Sequence, residues 1–332
     1  MPNTTKMNGS RYMMTTTELG GIMGLVSSKK NPEFTTEEQQ NLITQSGGRV
    51  AVPTDVMRAY LSRLGFGYDS KVIAFMNLKG GIGKTTSCIS MATRALQYGY
   101  KTCILDLDSQ ASASLAFDQT PEDDDPIFCD VWQKPHEMLM GSLRRIENQF
   151  YILPSSLENG LLDSMLVNPA AQKTAVKGVC DTLRLNEFDL VMIDCPPSLG
   201  TAVISTVCAA DTIVIPICSD AFSMKGLALT LNEIASICET FNLPKPDIRI
   251  LYTKYDRRIK LTHDIASTLE DRYPDYMMPN PIRTSSEFSN ALQRKQTVFA
   301  SAKKSSAKAD YDACTRDRLH LNSFFQGGLA HG

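Results

Sequence analysis

Short apolar runs alternate with longer segments of helical periodicity over most of the chain. The apolar runs at 72–76, 102–105, 189–193, 212–216 and 248–252 have the length and composition of strands that are buried on both faces. Because strands that alternate with helices build a parallel sheet covered on both sides, the pattern predicts an α/β fold with a doubly wound, mostly parallel sheet.

The helical patterns fall between these runs and after the last of them. Helices are predicted at 85–96, 199–209, 225–241, 262–273 and 286–294, and a last one within 307–325. Residues 118–149 show no such periodicity and contain the acidic run 122–125. The segment is therefore predicted to be irregular, and its acidic run to be a solvated loop, with a contact to a partner as the alternative.

The segment between the first predicted strand and its helix reads KGGIGKTT, at 79–86. A strand, a glycine-rich turn and a helix place backbone N–H groups and the positive end of the helix around phosphate oxygens. Glycine lets the backbone approach the phosphates closely, Lys84 is expected on the β- and γ-phosphates, and Thr85 on Mg²⁺. The nucleotide-binding residues expected in this loop are Gly80, Gly81, Ile82, Gly83, Lys84 and Thr85.

This loop departs from the common phosphate-loop pattern at two neighbouring positions. Leu78 stands where the pattern has its first glycine, and Lys79 adds a second lysine five positions before Lys84. A glycine-rich turn that only joins a strand to a helix would explain neither lysine. The sequence therefore predicts a nucleotide site of a variant kind, in which Lys79 needs an explanation of its own.

Two aspartates follow later predicted strands. The run at 102–105 leads into Asp106, Leu107 and Asp108, and the run at 189–193 leads into Asp194. In an open parallel sheet, ligand groups lie at the carboxyl ends of the strands, so Asp108 and Asp194 are expected to converge on the Mg²⁺ of the phosphate loop. Either aspartate alone is equally well explained by ordinary turn chemistry.

Composition bounds the number of domains and argues against disulfides, a signal peptide and membrane spans. Its 332 residues suggest about two domains, and its net charge of −2 gives no ground to infer DNA binding, which only local basic patches can carry. Nine cysteines occur without a CxxC pair, which is typical of reduced thiols in a cytoplasmic protein. The start of the sequence has no apolar core for a signal peptide, and no run approaches the length of a membrane span.

The motifs, in this order, resemble those of the ParA/MinD group of deviant Walker-type ATPases, and within that group the ParA partition ATPases. NLKGGIGKTT is similar to their Walker A motif with its signature lysine, DLDSQASAS to their second motif, and VMIDCPPSLG to Walker B. Ser109 stands where the second motif usually has proline. Further similar segments, which extend the resemblance over about 71–300, are FYILPSS, IVIPICSDAFSMKGLALT, LYTKYDRR, and the late IR and KQTVF.

The resemblance implies a slow ATPase that uses ATP and Mg²⁺ and forms a homodimer with ATP sandwiched between the protomers. It implies that Lys79 contacts phosphate across the dimer interface, that Asp108 positions the attacking water, and that Asp194 holds Mg²⁺ through water. By the same resemblance, Thr86 and Pro216 lie near the nucleoside. The implied catalytic residues are Lys79, Lys84 and Asp108, and the implied metal site comprises Thr85, Asp108 and Asp194.

Partners also follow from the resemblance. It implies hydrolysis stimulated by a ParB-like adaptor on centromere DNA, non-specific binding of the dimer to DNA, and a cytoplasmic, nucleoid-associated protein without a membrane partner. Basic clusters occur at 254–260, 283, 294–295 and 303–308. The positions that resemble DNA contacts of the family are Arg257, Arg258, Arg283, Arg294 and Lys295.

Residues 1–70 lie outside the resemblance and are predicted to form a helical unit before the ATPase domain at 71–332. Helices are expected at 16–25, near 36–40 and from 53 onward. Several partition ATPases carry a helix-turn-helix before the nucleotide domain, and the segment loosely resembles one. A small helical bundle that lengthens the dimer interface is the equal alternative.

Rival functions come from related families. A MinD-like membrane-positioning ATPase would need a basic amphipathic helix at its carboxyl end, and the segment 316–325 has few cations. An iron–sulfur reductase would need paired cluster cysteines, and Cys195 near Walker B has no second cysteine at the family spacing. A ParA-like positioner of a protein cargo shares every motif and stays open.

Overall fold

The computed structural model describes residues 11–25, 32–45, 47–220 and 223–328. A central sheet of seven strands has the order β10-β9-β4-β8-β5-β7-β6, and every neighbouring pair is parallel except β6 with β7. The strands are β4 (Lys71–Phe75), β5 (Thr102–Asp106), β6 (Arg144–Glu147), β7 (Phe150–Leu153), β8 (Leu190–Asp194), β9 (Thr212–Ile217) and β10 (Asp247–Tyr252). The predicted α/β, doubly wound sheet is confirmed.

Helices cover both faces of this sheet. In the ATPase part they are α4 (Lys84–Gln97), α5 (Ser112–Ala116), α6 (Phe128–Val131), α7 (Pro135–Ser142), α8 (Leu162–Met165), α9 (Pro169–Leu185), α10 (Thr201–Val207), α11 (Ser223–Thr240), α12 (Lys260–Arg272), α13 (Ser286–Gln293), α14 (Ser306–Arg318) and α15 (Leu321–Gly328). No helix among the described residues is both long and apolar enough to cross a membrane.

Two hydrophobic cores lie on opposite faces of the sheet. Alternate residues of a strand point to opposite faces, so Ile73 and Phe75 of β4 enter one core while Val72 and Ala74 enter the other. The first core packs against α4 and α14, and the second against α9, α10 and α11. Burial on both faces explains why the central strands appear in the sequence as continuous apolar runs.

The described part of residues 1–70 contains three helices and a small antiparallel sheet. Its helices are α1 (Thr16–Ile22), α2 (Thr36–Gln40) and α3 (Thr54–Arg63), and its strands are β1 (Met14–Thr15), β2 (Ile43–Thr44) and β3 (Val50–Val52). The helices begin where the sequence predicts, whereas the strands have only two or three residues and were not predicted. Strands this short carry too little alternation to be recognised.

This region shares the core of the ATPase part. Tyr12 packs edge-on against Phe117 and Phe150, and its burial raises the pKa of its hydroxyl to about 12. Arg58 of α3 binds Asp189, beside the start of β8, through two hydrogen bonds of 2.5 and 3.1 Å. The described part of residues 11–70 is therefore anchored to the first core of the sheet.

Residues 118–149 are more ordered than the irregular loop that the sequence predicts, so this prediction was wrong. They hold α6, α7 and β6, and α7 begins with Pro135 at its first turn. These elements have four to eight residues; α6 and α7 pack against the second core and Ile146 of β6 against the first, so each is too short for a clear periodicity. Asp125 of the acidic run pairs with Arg144 of β6.

Candidate nucleotide-binding site

The phosphate loop joins β4 to α4 at the carboxyl edge of the sheet. Gly81 and Gly83 have φ angles of 70° and 95°, in the left-handed region where glycine carries no steric penalty. Gly83 is also the residue that precedes the first turn of α4, and a Cβ atom added there would lie 3.7 Å from Thr253. The glycines are thus required by backbone conformation at this turn.

Side chains hold three carbonyl groups of this loop. Lys84 Nζ donates to the Lys79 carbonyl at 3.0 Å, Lys254 Nζ to the Gly81 carbonyl at 2.6 Å, and Thr253 Oγ1 to the Ile82 carbonyl at 2.7 Å. Lys84 is buried, and this burial lowers the pKa of its ammonium. A phosphate would supply the charged partner that the protein surroundings of Lys84 provide only in part.

Asp194 lies directly beside this loop. It is the last residue of β8, in register with Phe75 of β4 and with Asp106 of β5. The side chain is completely buried, and neither carboxylate oxygen makes a hydrogen bond within the described part of the chain. Burial raises the pKa of Asp194 well above its usual value and Asp106 raises it further, while the Thr85 hydroxyl opposes the rise.

A buried carboxylate without a partner fits a cation. Hydrogen-bond acceptors that are removed from water are costly unless a proton or metal ion satisfies them. Thr85 is the second residue of α4, directly after Lys84, and it is half buried. No group of three or more His, Cys, Asp or Glu side chains in the described ranges could by itself hold a metal ion. Mg²⁺ commonly uses one or two carboxylates and completes its shell with waters and phosphates, so the residues present fit it.

Asp106 is a member of the site that the sequence analysis did not select. Its carboxylate accepts hydrogen bonds from the Ser114 amide at 2.9 Å and the Ser114 hydroxyl at 2.7 Å. Burial raises its pKa to about 7, and the hydrogen bonds from Ser114 oppose that rise. The two-residue spacing of Asp106 and Asp108 after an apolar run was the signal that could have identified it.

Asp108 occupies the loop after β5. It is 8% exposed, its Oδ1 atom accepts from the Gln110 amide, and its carbonyl accepts from Ser155 Oγ at 2.7 Å. Asn159 in turn donates to Ser155 Oγ at 2.8 Å. The FYILPSS segment therefore supports the backbone of Asp108, and the carboxylate is fixed near the site.

Lys79 lies at the outer side of the loop and is bound within its own chain. Its Nζ atom is 2.5 Å from Asp220 Oδ2, and its side chain remains 40% exposed. The Asp220 carboxylate also accepts from Ser223 Oγ at 2.6 Å. The backbone of Lys79 donates to Asn77 Oδ1 at 3.1 Å. Two lysines of one loop thus differ sharply, because Lys84 is buried in the site and Lys79 faces outward.

The two residues assigned to the nucleoside lie in different surroundings. Thr86 is half buried in the first turn of α4. Pro216 is buried within β9, and its carbonyl accepts from Asn77 Nδ2 at 2.8 Å. Thr86 is therefore close to the phosphate loop, whereas Pro216 supports the residue that precedes the loop. A contact of either with a nucleoside stays a prediction.

The five cations assigned to DNA are not one open cluster. Arg258 pairs with Asp256 at 2.7 Å, Arg283 pairs with Asp310 at 2.6 Å, and Lys295 pairs with Asp118. Within the described ranges, Arg257 and Arg294 have no carboxylate partner. Their assigned role also stays a prediction.

Comparisons with known proteins agree with this site. A family model described as an AAA domain matches residues 70–249. The cell division protein PomZ of Myxococcus xanthus is 25% identical over 289 residues, which cover 86% of this chain and 90% of PomZ. The chromosome-partitioning ATPase Soj of Treponema pallidum is 28% identical over 209 residues, which cover 62% of this chain and 79% of Soj.

A solved structure adds the ligands of a relative. Cobyrinic acid a,c-diamide synthase from Mycobacterium smegmatis, with a bound ATP analogue and magnesium, is 25% identical and has a TM-score of 0.60. The alignment covers 76% of this chain and 96% of that protein. Its ligands agree with the prediction that the cofactors are ATP and Mg²⁺.

The family match spans more than half of the chain and contains the phosphate loop, Asp108 and Asp194. The relatives include a partition ATPase, as the order of motifs implied. The chain therefore belongs to the ParA-type partition ATPases, a family of P-loop ATPases.

Proposed function

We propose that this protein is a partition ATPase that forms an ATP-sandwich homodimer, binds DNA without sequence preference, and is released when a ParB-like adaptor stimulates hydrolysis. The observation that carries the proposal is the pair of lysines on one loop, with Lys84 buried in the site and Lys79 facing outward. An outward lysine beside a phosphate site can act on the nucleotide of a second protomer. The protein would act in the cytoplasm, on the nucleoid.

Each residue of the site has a separate task in this proposal. Lys84 and the loop from Gly80 to Gly83 bind the phosphates, while Thr85 and Asp194 hold Mg²⁺. When bound, Mg²⁺ neutralises charge on the phosphates. Asp108 orients the attacking water, and the Ser155 hydroxyl bond to its backbone limits its movement.

Lys79 supplies positive charge to the partner's nucleotide in this scheme. A cation supplied in trans accelerates phosphoryl transfer by about 10³ to 10⁵ in related P-loop enzymes. A lysine is a movable point charge without the bidentate geometry of arginine, so hydrolysis before stimulation is expected to be slow. The contact with Asp220 must break before Lys79 reaches another protomer.

We expect Lys79→Gln to bind ATP as a monomer and to fail to form the ATP dimer, because the lost charge acts across the interface. Sedimentation velocity with a non-hydrolysable ATP analogue measures the dimer, and calorimetry measures binding by the monomer. Asp220→Asn is the opposing variant, since it removes the charge that holds Lys79 and should favour the dimer. A stable Lys79→Gln dimer with normal hydrolysis would contradict the proposal that Lys79 acts on the nucleotide of the partner protomer.

The DNA face is proposed to consist of Arg257, Arg258, Arg283, Arg294 and Lys295. The side chains of Arg258 and Lys295 are well exposed, and exposed ion pairs contribute little, so DNA phosphates can replace their aspartate partners. Arg283 would contact phosphate while it stays paired with Asp310, which is buried. Arg257 and Arg294 have no such competition within the described ranges. Two protomers present twice as many cations to one duplex, which makes binding depend on ATP.

Neutralising these five residues together is expected to weaken DNA binding while ATP affinity and dimerisation remain. Each lost phosphate contact should reduce the slope of log K against log salt by about 0.9 on duplex DNA. Filter binding over a salt series measures the slope, with Lys134 and Lys177, exposed lysines outside this face, neutralised as the control. An unchanged slope and affinity would place the DNA face elsewhere, including residues 1–70.

For residues 1–70, we propose a unit that braces the ATPase domain and lengthens the dimer interface, and the packing of its described part supports the bracing. Glu18 of α1 binds Arg94 of the phosphate-loop helix at 2.9 Å. In the first turn of α2, Glu37 is exposed and would repel DNA phosphates, whereas Glu38 is buried and paired with Arg63. A helix-turn-helix that reads operator DNA is therefore the less favoured role.

A further inference from the structure

Lys254 is an unassigned lysine at the phosphate loop. It follows β10 and Thr253, and its Nζ atom lies 2.6 Å from the Gly81 carbonyl oxygen. Its φ angle is 53°, in the left-handed region that a lysine seldom occupies. Such a conformation persists where the surrounding structure imposes it, and it is frequent at binding sites.

The position of β10 explains how this side chain reaches the loop. In the sheet, β9 alone separates β10 from β4, so the carboxyl ends of β10 and β4 lie at the same edge. The Thr253 amide donates to the Ile217 carbonyl at 2.7 Å, which fixes the chain at the end of β10. Thr253 and Lys254 then bind two consecutive carbonyls of the phosphate loop, those of Ile82 and Gly81.

Holding these carbonyls also orients the loop's donors. In a planar trans peptide, the C=O and N–H groups point in opposite directions. The Gly81 carbonyl shares a peptide with the Ile82 amide, and the Ile82 carbonyl shares one with the Gly83 amide. A clamp on the carbonyls therefore turns the amides of Ile82 and Gly83 away from β10, as a nest of donors for phosphate requires.

We propose that Lys254 is a positioning residue of the nucleotide site, which holds the peptide between Gly81 and Ile82 and adds a positive charge beside the polyphosphate. The inference rests on the proposed binding of ATP at this loop. It differs from the role of Lys79 because Lys254 acts within its own protomer. Lys254 is also not one of the cations proposed to contact DNA.

The test is the affinity of the full-length protein for ATP with Mg²⁺, measured by calorimetry at two salt concentrations. Lys254→Met keeps the side-chain length and removes the charge, so it should raise the Kd by about tenfold in low salt. The loss should shrink between about 50 mM and about 500 mM salt, because the charge is exposed and is screened. Lys254→Arg should restore most of the affinity, and Lys260→Met, an exposed lysine at the start of α12, is the matched control.

Lys254→Gly separates the backbone from the side chain, because glycine accepts the left-handed conformation without strain. It should lose affinity as Lys254→Met does and keep its melting temperature. An unchanged Kd in the Met and Gly variants overturns the proposal, and so does a loss that is independent of salt and not restored by arginine. If the parental protein does not bind ATP, the proposed function is wrong. If the parental protein binds ATP and Lys254→Met binds it with the same Kd, only the role of Lys254 is wrong.

Discussion

Lys84→Ala is expected to abolish nucleotide binding. The Lys84 ammonium is buried at the start of α4, donates to the Lys79 carbonyl, and interacts electrostatically with the carboxylates of Asp194 and Asp108. A hydrogen bond to a charged group contributes about 1.5–3 kcal/mol, and the ammonium has three donors for the phosphates. The Kd for ATP should therefore rise by more than about 100-fold.

Isothermal titration calorimetry with ATP and Mg²⁺ measures this loss. Lys177→Ala is the matched control, because Lys177 lies on the surface of α9 and only pairs with Asp181. Burial of the Lys84 ammonium is itself unfavourable, so the Ala variant should remain folded, which a thermal melt tests. If Lys84→Ala binds ATP as tightly as the parental protein does, Lys84 is not a nucleotide-binding residue.

The central sheet could be predicted because its strands are buried on both faces. Residues 72–75 show this, since alternate side chains enter different cores and all of them are apolar. The phosphate loop could be predicted because glycine is the residue that its left-handed positions favour. The chemistry of these two features is local, so one short segment of sequence is enough to reveal it.

Other features of the site depend on residues that are distant in the chain. Asp220 meets Lys79 because β9 and β4 are neighbours, and Lys254 meets Gly81 because β10 lies next to β9. The periodicity of a single strand does not predict which strands will be its neighbours in the sheet. For that reason Lys254 appeared in the sequence as part of a basic cluster, and the structure places its ammonium on the phosphate loop.

The environment of Asp106 depends on the fold in the same way. The sequence shows two aspartates two positions apart, without showing which one lies inside the sheet. In the structure, Asp106 is the last residue of β5 and is satisfied by Ser114, whereas Asp108 lies in the loop beyond it. This separation assigns a structural place to Asp106, while the role of Asp108 in positioning the attacking water stays a proposal.

Asp108→Ala is accordingly expected to bind ATP and dimerise normally while losing hydrolysis. A positioned side chain that handles the proton of a reacting group contributes about 10²- to 10⁴-fold in rate, so kcat should fall by that factor. ATP affinity should stay equal or rise slightly, because one negative charge near the phosphates is lost.

Single-turnover hydrolysis with the protein in excess over ATP measures this fall without dependence on product release. Asp264→Ala, which removes an exposed carboxylate of α12, is the control, and sedimentation with a non-hydrolysable analogue confirms the dimer. Asp108→Asn keeps the size of the side chain and an acceptor for the Gln110 amide, yet it carries no charge. If both Asp108 variants hydrolyse ATP at the parental rate, the water is positioned by another group, and Asp106 becomes the next carboxylate to replace.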